Sequence, residues 1–356
     1  MIPSNTFISP FSFSQQMLAA YTELQNAQSV KEYLTKKQLL HYDYLPVKEL
    51  GTIYFPMVKK AAVPKAKVLD TQFSFPEKEK PKTIDELLKN KLTKEEFALL
   101  PRSQEVVGRI LILEIPPELT AKEKLIGETY LKIHKNIDTV VRKEGIHGGE
   151  FRTRTVRIIA GKKSKETTHK ESGIEMKLHL EKTYFSARSA NERLRIAKMI
   201  KKGENVMVMF SGAAPFPLVF ARNSGAKQIY GIELNPLAHS YAYDNIHLNH
   251  LENKITLFNG NVLTVMPKIK INFDRMAMPL PKTGEDFLPL ALSRTKIGGM
   301  IHLYAFLDEK EISAHALKIK EIARSVKHSV RVVRTVFCGQ FSPGTFRVCF
   351  DLKVVR

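Results

Sequence analysis

From residue 205 to its end, the chain alternates between two hydrophobic rhythms. Runs suited to strands occur at 205–210, 228–233, 254–258, 272–278, 297–306, 330–338 and 345–354. Stretches with apolar positions at helical spacing, 188–202, 215–224, 236–249, 284–295 and 309–326, fall before and between them. Such alternation predicts an α/β fold, a mostly parallel sheet covered on both faces. The last two runs, "RVVRTVFCGQFSPGTFRVCFDLKVV", are separated only by a short Gly/Pro turn, so that pair must be antiparallel.

Upstream the pattern is less regular. Residues 85–173 suggest two short helices, a strand Val106–Glu114, a helix Ala121–Lys135 and strands near Thr139–Arg142 and Phe151–Ala160. That is a small α+β domain whose last strand carries Arg152, Arg154 and Arg157. Residues 61–84 hold three prolines and five lysines with little periodicity and read as a linker. Residues 1–60 combine one helical stretch, Ser14–Leu40, with short strands rich in Val, Ile, Tyr and Phe. The expected map is therefore 1–60, 61–84, 85–173 and 174–356.

Charge narrows the function classes. The excess of 56 Lys+Arg over 36 Asp+Glu gives +20, which favours a polyanionic partner through counterion release from phosphates. A cationic membrane-surface protein and a general lysine bias are the competing readings. No apolar run approaches the ~18–20 residues of a spanning helix, and the N-terminus MIPSNTF lacks a basic region followed by an apolar one. The expectation is a cytoplasmic protein, working as a monomer, with no membrane partner. Two cysteines, Cys338 and Cys349, are too few for a metal site and read as buried thiols, so no metal is expected.

The stretch "VMVMFSGAAPFPLVFA" (206–221) carries the candidate chemistry. Ligands of such sheets sit at the carboxyl ends of the strands, which makes Phe210-Ser211-Gly212-Ala213-Ala214 the expected cofactor turn. Gly212 allows close backbone approach. Glu233 ends the next strand 21 residues later, where a carboxylate can accept both hydroxyls of a ribose. Asn261 follows the third strand, where an amide can pair with an adenine edge. The missing G-x-G-x-x-G argues against a dinucleotide; S-adenosylmethionine has no pyrophosphate and does not need those glycines.

The segment "IIAGKKSKETTHKESGIEMKLHLEKTYFSARSANERLRIAKMIKKGENVMVMFSGAAPFPLVFA" resembles the archaeal and eukaryotic tRNA (guanine-37-N1)-methyltransferases. The resemblance continues through "GIELNP" and "DRMAMPLP", and "YLPVKELGTIYFPM" looks like the end of their small N-terminal domain. It implies a class I S-adenosylmethionine-dependent methyltransferase fold, Rossmann-like, with a seven-stranded sheet ending in an antiparallel strand, preceded by two small α+β domains. The first would inspect the tRNA elbow. It also implies a cofactor pocket from Tyr184, Phe185, Phe210, Glu233 and Asn261, with Glu192 as general base. Arg188 and Arg193 would neighbour the RNA backbone, and Arg152 or Arg154 would face the target base.

The chemistry agrees. Guanine N1 carries a proton, so methylation there needs a base, and an arginine would stabilise charge growing on O6. Glu192 has a structural alternative, since Ser189-Ala190-Asn191-Glu192 is also a capping box. The arginines could be a solvated strand face.

Three departures stand out. Val208 replaces the family's Asp, Ala214 its glycine, and Met278-Pro279-Leu280-Pro281 its Asn-Leu-Pro. Pro279 thus occupies the catalytic position where an asparagine would orient the base, and it has no N–H to substitute. An archaeal branch resembles this chain there, and its members methylate guanosine-37 and also C7 of 4-demethylwyosine, giving isowyosine. The competing functions are aminocarboxypropyl transfer in the wyosine pathway, a tRNA-binding protein without catalysis, and methylation of rRNA or protein.

Overall fold

The computed structural model describes residues 17–71, 74–78, 82–145, 151 and 153–356. It divides into two compact units, Met1–Lys82 and Thr83–Arg356.

In the first unit, β1 (Met17–Glu23), α1 (Ala27–Lys36), β2 (Val47–Glu49), β3 (Thr52–Pro56) and β4 (Lys67–Thr71) form an antiparallel sheet in the order β2-β3-β1-β4 and one helix. Val30 and Leu34 of the helix pack with Ala20, Ile53 and Phe55 of the sheet. Two expectations change here. Met17–Glu23 lies inside the expected helix Ser14–Leu40 yet is a strand, because hydrogen-bonded neighbours on both sides, β3 and β4, override the helix propensity of Leu18-Ala19-Ala20. Lys67–Thr71 lies inside the expected linker yet pairs with β1, placing Ala19 opposite Leu69.

The second unit begins with two short helices, α2 (Ile84–Leu88) and α3 (Lys94–Ala98), each opened by a Thr-x-x-Glu capping box. Next come β5 (Gln104–Val107), β6 (Ile110–Leu113), α4 (Glu123–Ile133), β7 (Thr139–Lys143) and β8 (Val156–Gly161), a four-stranded sheet in the order β5-β6-β7-β8. A hairpin of β9 (Glu166–Glu171) and β10 (Ile174–His179) precedes α5 (Ala190–Ala197).

The large sheet then follows: β11 (Asn205–Met209), α6 (Pro215–Asn223), β12 (Gln228–Glu233), α7 (Pro236–Leu248), β13 (Ile255–Asn259), α8 (Val262–Val265), β14 (Phe273–Met278), α9 (Leu288–Arg294), β15 (Thr295–Asp308), α10 (Ile312–Ser325), β16 (Val330–Ser342) and β17 (Thr345–Val354). Its order is β13-β12-β11-β14-β15-β17-β16, parallel through β15, with β17 antiparallel to both neighbours. This is the doubly wound sheet of class I methyltransferases. The chain order reverses between β11 and β14, which sets the ligand crevice beside the end of β11.

Strand alternation builds two cores. Val206, Val208 and Ala277 face one side of the sheet, Met207, Met209, Met276 and Met278 the other. The first core also contains Ile110, Ile112 and Val141 of the four-stranded sheet, so the two sheets of this unit share one interior. Val208 pairs with Gly231 and Ala277 and is fully buried, so this departure from the family pattern lies in the core.

Strand β10 has an open edge, and α7 closes it with two asparagines one turn apart. Asn245 accepts from the Lys177 N–H (2.6 Å) and donates to the carbonyls of Lys177 and Ala213 (both 3.1 Å). Asn249 does the same for Glu175, accepting at 2.9 Å and donating at 2.6 Å. Two side-chain amides thus stand in for a neighbouring strand. Asn245→Leu leaves three backbone groups unpaired, of which the Ala213 carbonyl is buried. Chemical denaturation of this variant is expected to show a loss of about 2–3 kcal/mol; a loss below about 0.5 kcal/mol contradicts the role.

Candidate active site

At the end of β11 the chain turns into α6 through left-handed residues: Phe210 (φ 57°), Gly212 (φ 58°) and Ala214 (φ 66°). Only glycine adopts this region freely, so Phe210 and Ala214 each carry about 1–3 kcal/mol of backbone strain. The turn persists because the Ala214 N–H donates to the Ser211 carbonyl (3.0 Å) and its own carbonyl begins α6 by accepting from Leu218 (3.0 Å). Such strain accumulates where a ligand fixes the geometry, and a cleft lies here.

The cleft has four walls. Tyr184, Phe185 and Ser186 come from the segment before α5, and Ser189, Glu192 and Arg193 from the start of that helix. Phe210, Ser211, Gly212, Pro215 and Phe216 come from the turn. Pro279 and Pro281 follow β14, while Tyr304 and Arg347 project from β15 and β17. The structure therefore brings together Tyr184, Phe185, Glu192, Arg193, Phe210, Gly212 and Pro279, seven of the residues singled out in the sequence.

Glu192 is 6% exposed and is not a cap. Ser189 makes no side-chain capping bond; its Oγ accepts from Arg347 Nη1 at 2.6 Å. The capping-box reading is thereby corrected. The Glu192 carboxylate faces the interior, where Oε1 accepts from the Tyr304 hydroxyl (2.7 Å) and Arg195 Nη2 (2.7 Å), and Oε2 from Arg195 Nε (2.6 Å). Arg195 also grips Asp351 at 2.7 and 3.0 Å. Asp351 Oδ1 lies 2.6 Å from His302 Nδ1, and His302 Nε2 lies 2.8 Å from Arg275 Nη1. Arg275 ends the chain of pairs on Glu204 at 2.8 Å.

Burial lowers the His302 pKa, so the ring is neutral and Arg275 must donate to its Nε2. Burial also acts to raise Asp351, but hydrogen bonds from His302 and Arg195 outweigh it and hold the carboxyl below its usual range. Burial pushes the Tyr304 phenol well above its usual range, with Cys349 and Glu192 adding to the shift, so it remains a donor. The donor atoms of His302, Cys349 and Asp351 lie within 4.8 Å of one another. Arg195 already donates to both oxygens of Asp351, and Arg275 to Nε2 of His302, so these atoms are engaged by protein donors.

The remaining candidates are distributed differently. Glu233 sits beside the turn, accepting from the Gly212 N–H (2.7 Å) and the Asn235 N–H (2.8 Å); burial raises its pKa. Asn261 is exposed, caps α8 by accepting from Leu263 N–H (2.9 Å), and does not line the cleft. The third strand end reaches Glu233 through Asn259 instead, whose amide donates to the Glu233 carbonyl at 2.8 Å.

Arg154 is buried and does not enter the cleft. It forks onto Glu105 (2.9 and 3.1 Å) and donates to the Phe185 carbonyl (3.1 Å), so it positions the aromatic wall. Arg193, expected beside the RNA backbone, is 2% exposed. It pairs with Glu171 at 2.6 Å and lies over the rings of Phe185 (5.1 Å) and Phe216 (5.7 Å). Arg188 is exposed, and Arg152 lies outside the described residues. Tyr304, Arg195 and Arg347 were missed in the sequence because each is placed by a partner far along the chain, Glu192, Asp351 and Ser189 respectively.

Comparisons with known proteins identify the family. Family models match residues 167–333, the TRM5/TYW2 methyltransferase domain, and residues 84–164, the TYW2 N-terminal domain. The tRNA (guanine(37)-N(1))-methyltransferase Trm5b of Pyrococcus abyssi is 36% identical, over 72% of this chain and 76% of that protein. The chain belongs to the TRM5/TYW2 methyltransferase family. Other members similar to it include the tRNA (guanine(37)-N(1))/4-demethylwyosine(37)-methyltransferase Taw22 of Nanoarchaeum equitans (30%, 64% of this chain and 92% of that one). The tRNA(Phe) (4-demethylwyosine(37)-C(7)) aminocarboxypropyltransferase of Pyrococcus horikoshii is 32% identical over 77% of this chain and 96% of that one.

Among solved structures, the aTrm5–tRNALeu complex superposes with a TM-score of 0.68 at 27% identity, covering 95% of this chain and 100% of that one. P. horikoshii TYW2 in complex with MeSAdo gives 0.65 at 29% identity, covering 76% and 98%.

A TRM5/TYW2 enzyme uses S-adenosylmethionine, and the residues at the β11 turn fit it. Ser211 Oγ is buried in the cleft wall without a hydrogen-bond partner among the described residues. Glu233 has carboxylate lone-pair capacity beyond its backbone bonds. Tyr184 and Phe210 supply aromatic surface. Among the described residues, no helix is long and apolar enough to cross a membrane. Glu233→Ala is expected to raise the dissociation constant for S-adenosylmethionine at least about tenfold by calorimetry, the loss of a charge-assisted hydrogen bond; an unchanged constant removes Glu233 from the ribose site.

Proposed function

We propose that this enzyme transfers the methyl group of S-adenosylmethionine to N1 of guanosine-37 in tRNA, and to C7 of 4-demethylwyosine at the same position. The observation that carries the reading is the Glu192 carboxylate, in the cleft wall and held by Arg195 and Tyr304 beside the β11 turn.

The bound cofactor supplies an electrophilic methyl on sulfur. The chain supplies the rest. Glu192 accepts the N1 proton as the ring nitrogen forms its new bond to carbon. Arg347, whose guanidinium lines the cleft and is steadied by Ser189 and the Cys338 carbonyl (2.9 Å), stands to stabilise charge on O6. Arg154 and Arg193 act at one remove by fixing Phe185. Pro279 makes its part of the wall apolar, without the side-chain amide that orients a guanine, which suits a broader tricyclic base. The +20 charge favours tRNA as the polyanion, and Arg188 is exposed next to the cleft segment.

Aminocarboxypropyl transfer is the second reading, since a relative performs it. The four-stranded N-terminal unit speaks for methyl transfer: the tRNA-bound Trm5 structure spans 95% of this chain, the TYW2 structure 76%.

The test is incubation with labelled S-adenosylmethionine and tRNA bearing guanosine-37 or 4-demethylwyosine-37, followed by nucleoside mass analysis. A methyl increment on both bases is expected; an aminocarboxypropyl increment, or none, contradicts the proposal. In the same assay Glu192→Ala should slow transfer about 10²–10⁴-fold, the range for a general base, with tRNA affinity within about twofold. Activity lost only in proportion to melting temperature would make Glu192 structural.

A further inference from the structure

The rim of the cleft carries an aromatic pair that the chemistry above does not use. Phe306 follows Tyr304 by two positions on β15, so both side chains leave the same face of the strand. Its N–H donates to the carbonyl of Pro281 (3.2 Å), which is in the cleft wall, and it lies opposite Arg347 across the β15–β17 pair. Phe341 stacks on it with ring centroids 4.0 Å apart and planes inclined by 27°, yet Phe341 remains 54% exposed.

The two rings meet although β17 separates their strands. Two register shifts in β16, between Phe337 and Gln340 and between Gln340 and Ser342, make this possible. Extra residues at a bulge bend a strand and re-aim its side chains. The bent edge strand thus carries Phe341 towards the cleft rather than along the sheet edge. Arg347, opposite Phe306, is the neighbouring cation. An exposed aromatic face with a cationic side chain beside it is the composition of a single-stranded nucleic-acid surface.

We infer that the Phe306–Phe341 pair is a stacking platform for the nucleobase adjacent to the one being methylated. This rests on the proposed function, in that the target base enters the cleft. A base drawn into an enclosed site leaves its stack, and its neighbour in the loop loses a partner. A flat ring at the rim, continuous with the cleft through Pro281 and Tyr304, replaces that partner. Stacking of this kind tolerates any base, because every base has a π-face.

The test is a double-mutant cycle read as single-turnover kcat/KM for methyl transfer to full-length tRNA. The enzymes are the unsubstituted chain, Phe341→Ala and Phe341→Trp. The RNAs are intact, or abasic at the nucleotide on either side of guanosine-37. On intact RNA, Phe341→Ala should lose about 10- to 100-fold, within the range of base–aromatic stacking, while Phe341→Trp retains activity. One of the abasic RNAs should impose a similar loss on the unsubstituted enzyme and make Phe341→Ala no worse. Independent, multiplicative losses with both abasic RNAs, or no loss in Phe341→Ala, overturn the platform. Absence of methylated guanosine with unsubstituted enzyme and intact RNA instead overturns the function on which it rests.

Discussion

One guanidinium organises the catalytic half of this molecule. Arg195 is gripped by Glu192 on one side and Asp351 on the other, both buried, and their hydrogen bonds and charges raise its pKa despite its own burial. The pairing ties α5 to β17, the strand at the heart of the antiparallel end of the sheet. Through Asp351 and His302 it extends to Arg275 and Glu204, near the opposite end of the strands. Buried ion pairs add little net stability, since desolvation offsets attraction, but losing one partner strands the other. Their value here is orientation. Signs alternate along the chain of contacts, so the Glu192 carboxylate is fixed in place in the cleft wall.

A second layer of the same logic fixes the cleft's aromatic wall. Arg193 and Arg154, both buried and both satisfied by glutamates, bracket Phe185 from its ring and its carbonyl. The strained β11 turn is held in turn by Glu233, which takes the Gly212 N–H and links it to the next loop through Asn235. Loops at successive strand ends are thus crosslinked before any ligand arrives. That is the preorganisation that electrostatic catalysis requires. It also explains why the chain tolerates alanine at position 214, since the surrounding bonds over-determine a backbone that alanine alone would avoid.

Much of this architecture is legible in the sequence. The seven strands and their antiparallel finish follow from alternating periods, which report burial directly. The N-terminal strand Met17–Glu23 does not, because its alanines suit a helix and only distant pairing partners decide otherwise. Charge was the weaker guide to placement. Arg193 reads as a surface residue until Glu171, in a hairpin 22 residues earlier, is seen to neutralise it. Ser189 and Glu192 spell a capping box as readily as a base, and the choice falls to Tyr304 and Arg347, 112 and 158 residues away respectively. Asn261 shows the converse. A local capping bond, which its position before a short helix allows, takes the oxygen that a ligand would have needed.

The most direct measurement is single-turnover methyl transfer by an Asp351→Asn variant, at a temperature where it remains folded. Asp351 does not line the cleft and reaches Glu192 only through Arg195. If that guanidinium sets the base, the rate constant should fall at least about 30-fold, roughly 2 kcal/mol of barrier, while affinities for cofactor and RNA stay within about twofold. A rate equal to that of the unsubstituted enzyme would show that Glu192 acts without this support, or does not act at all.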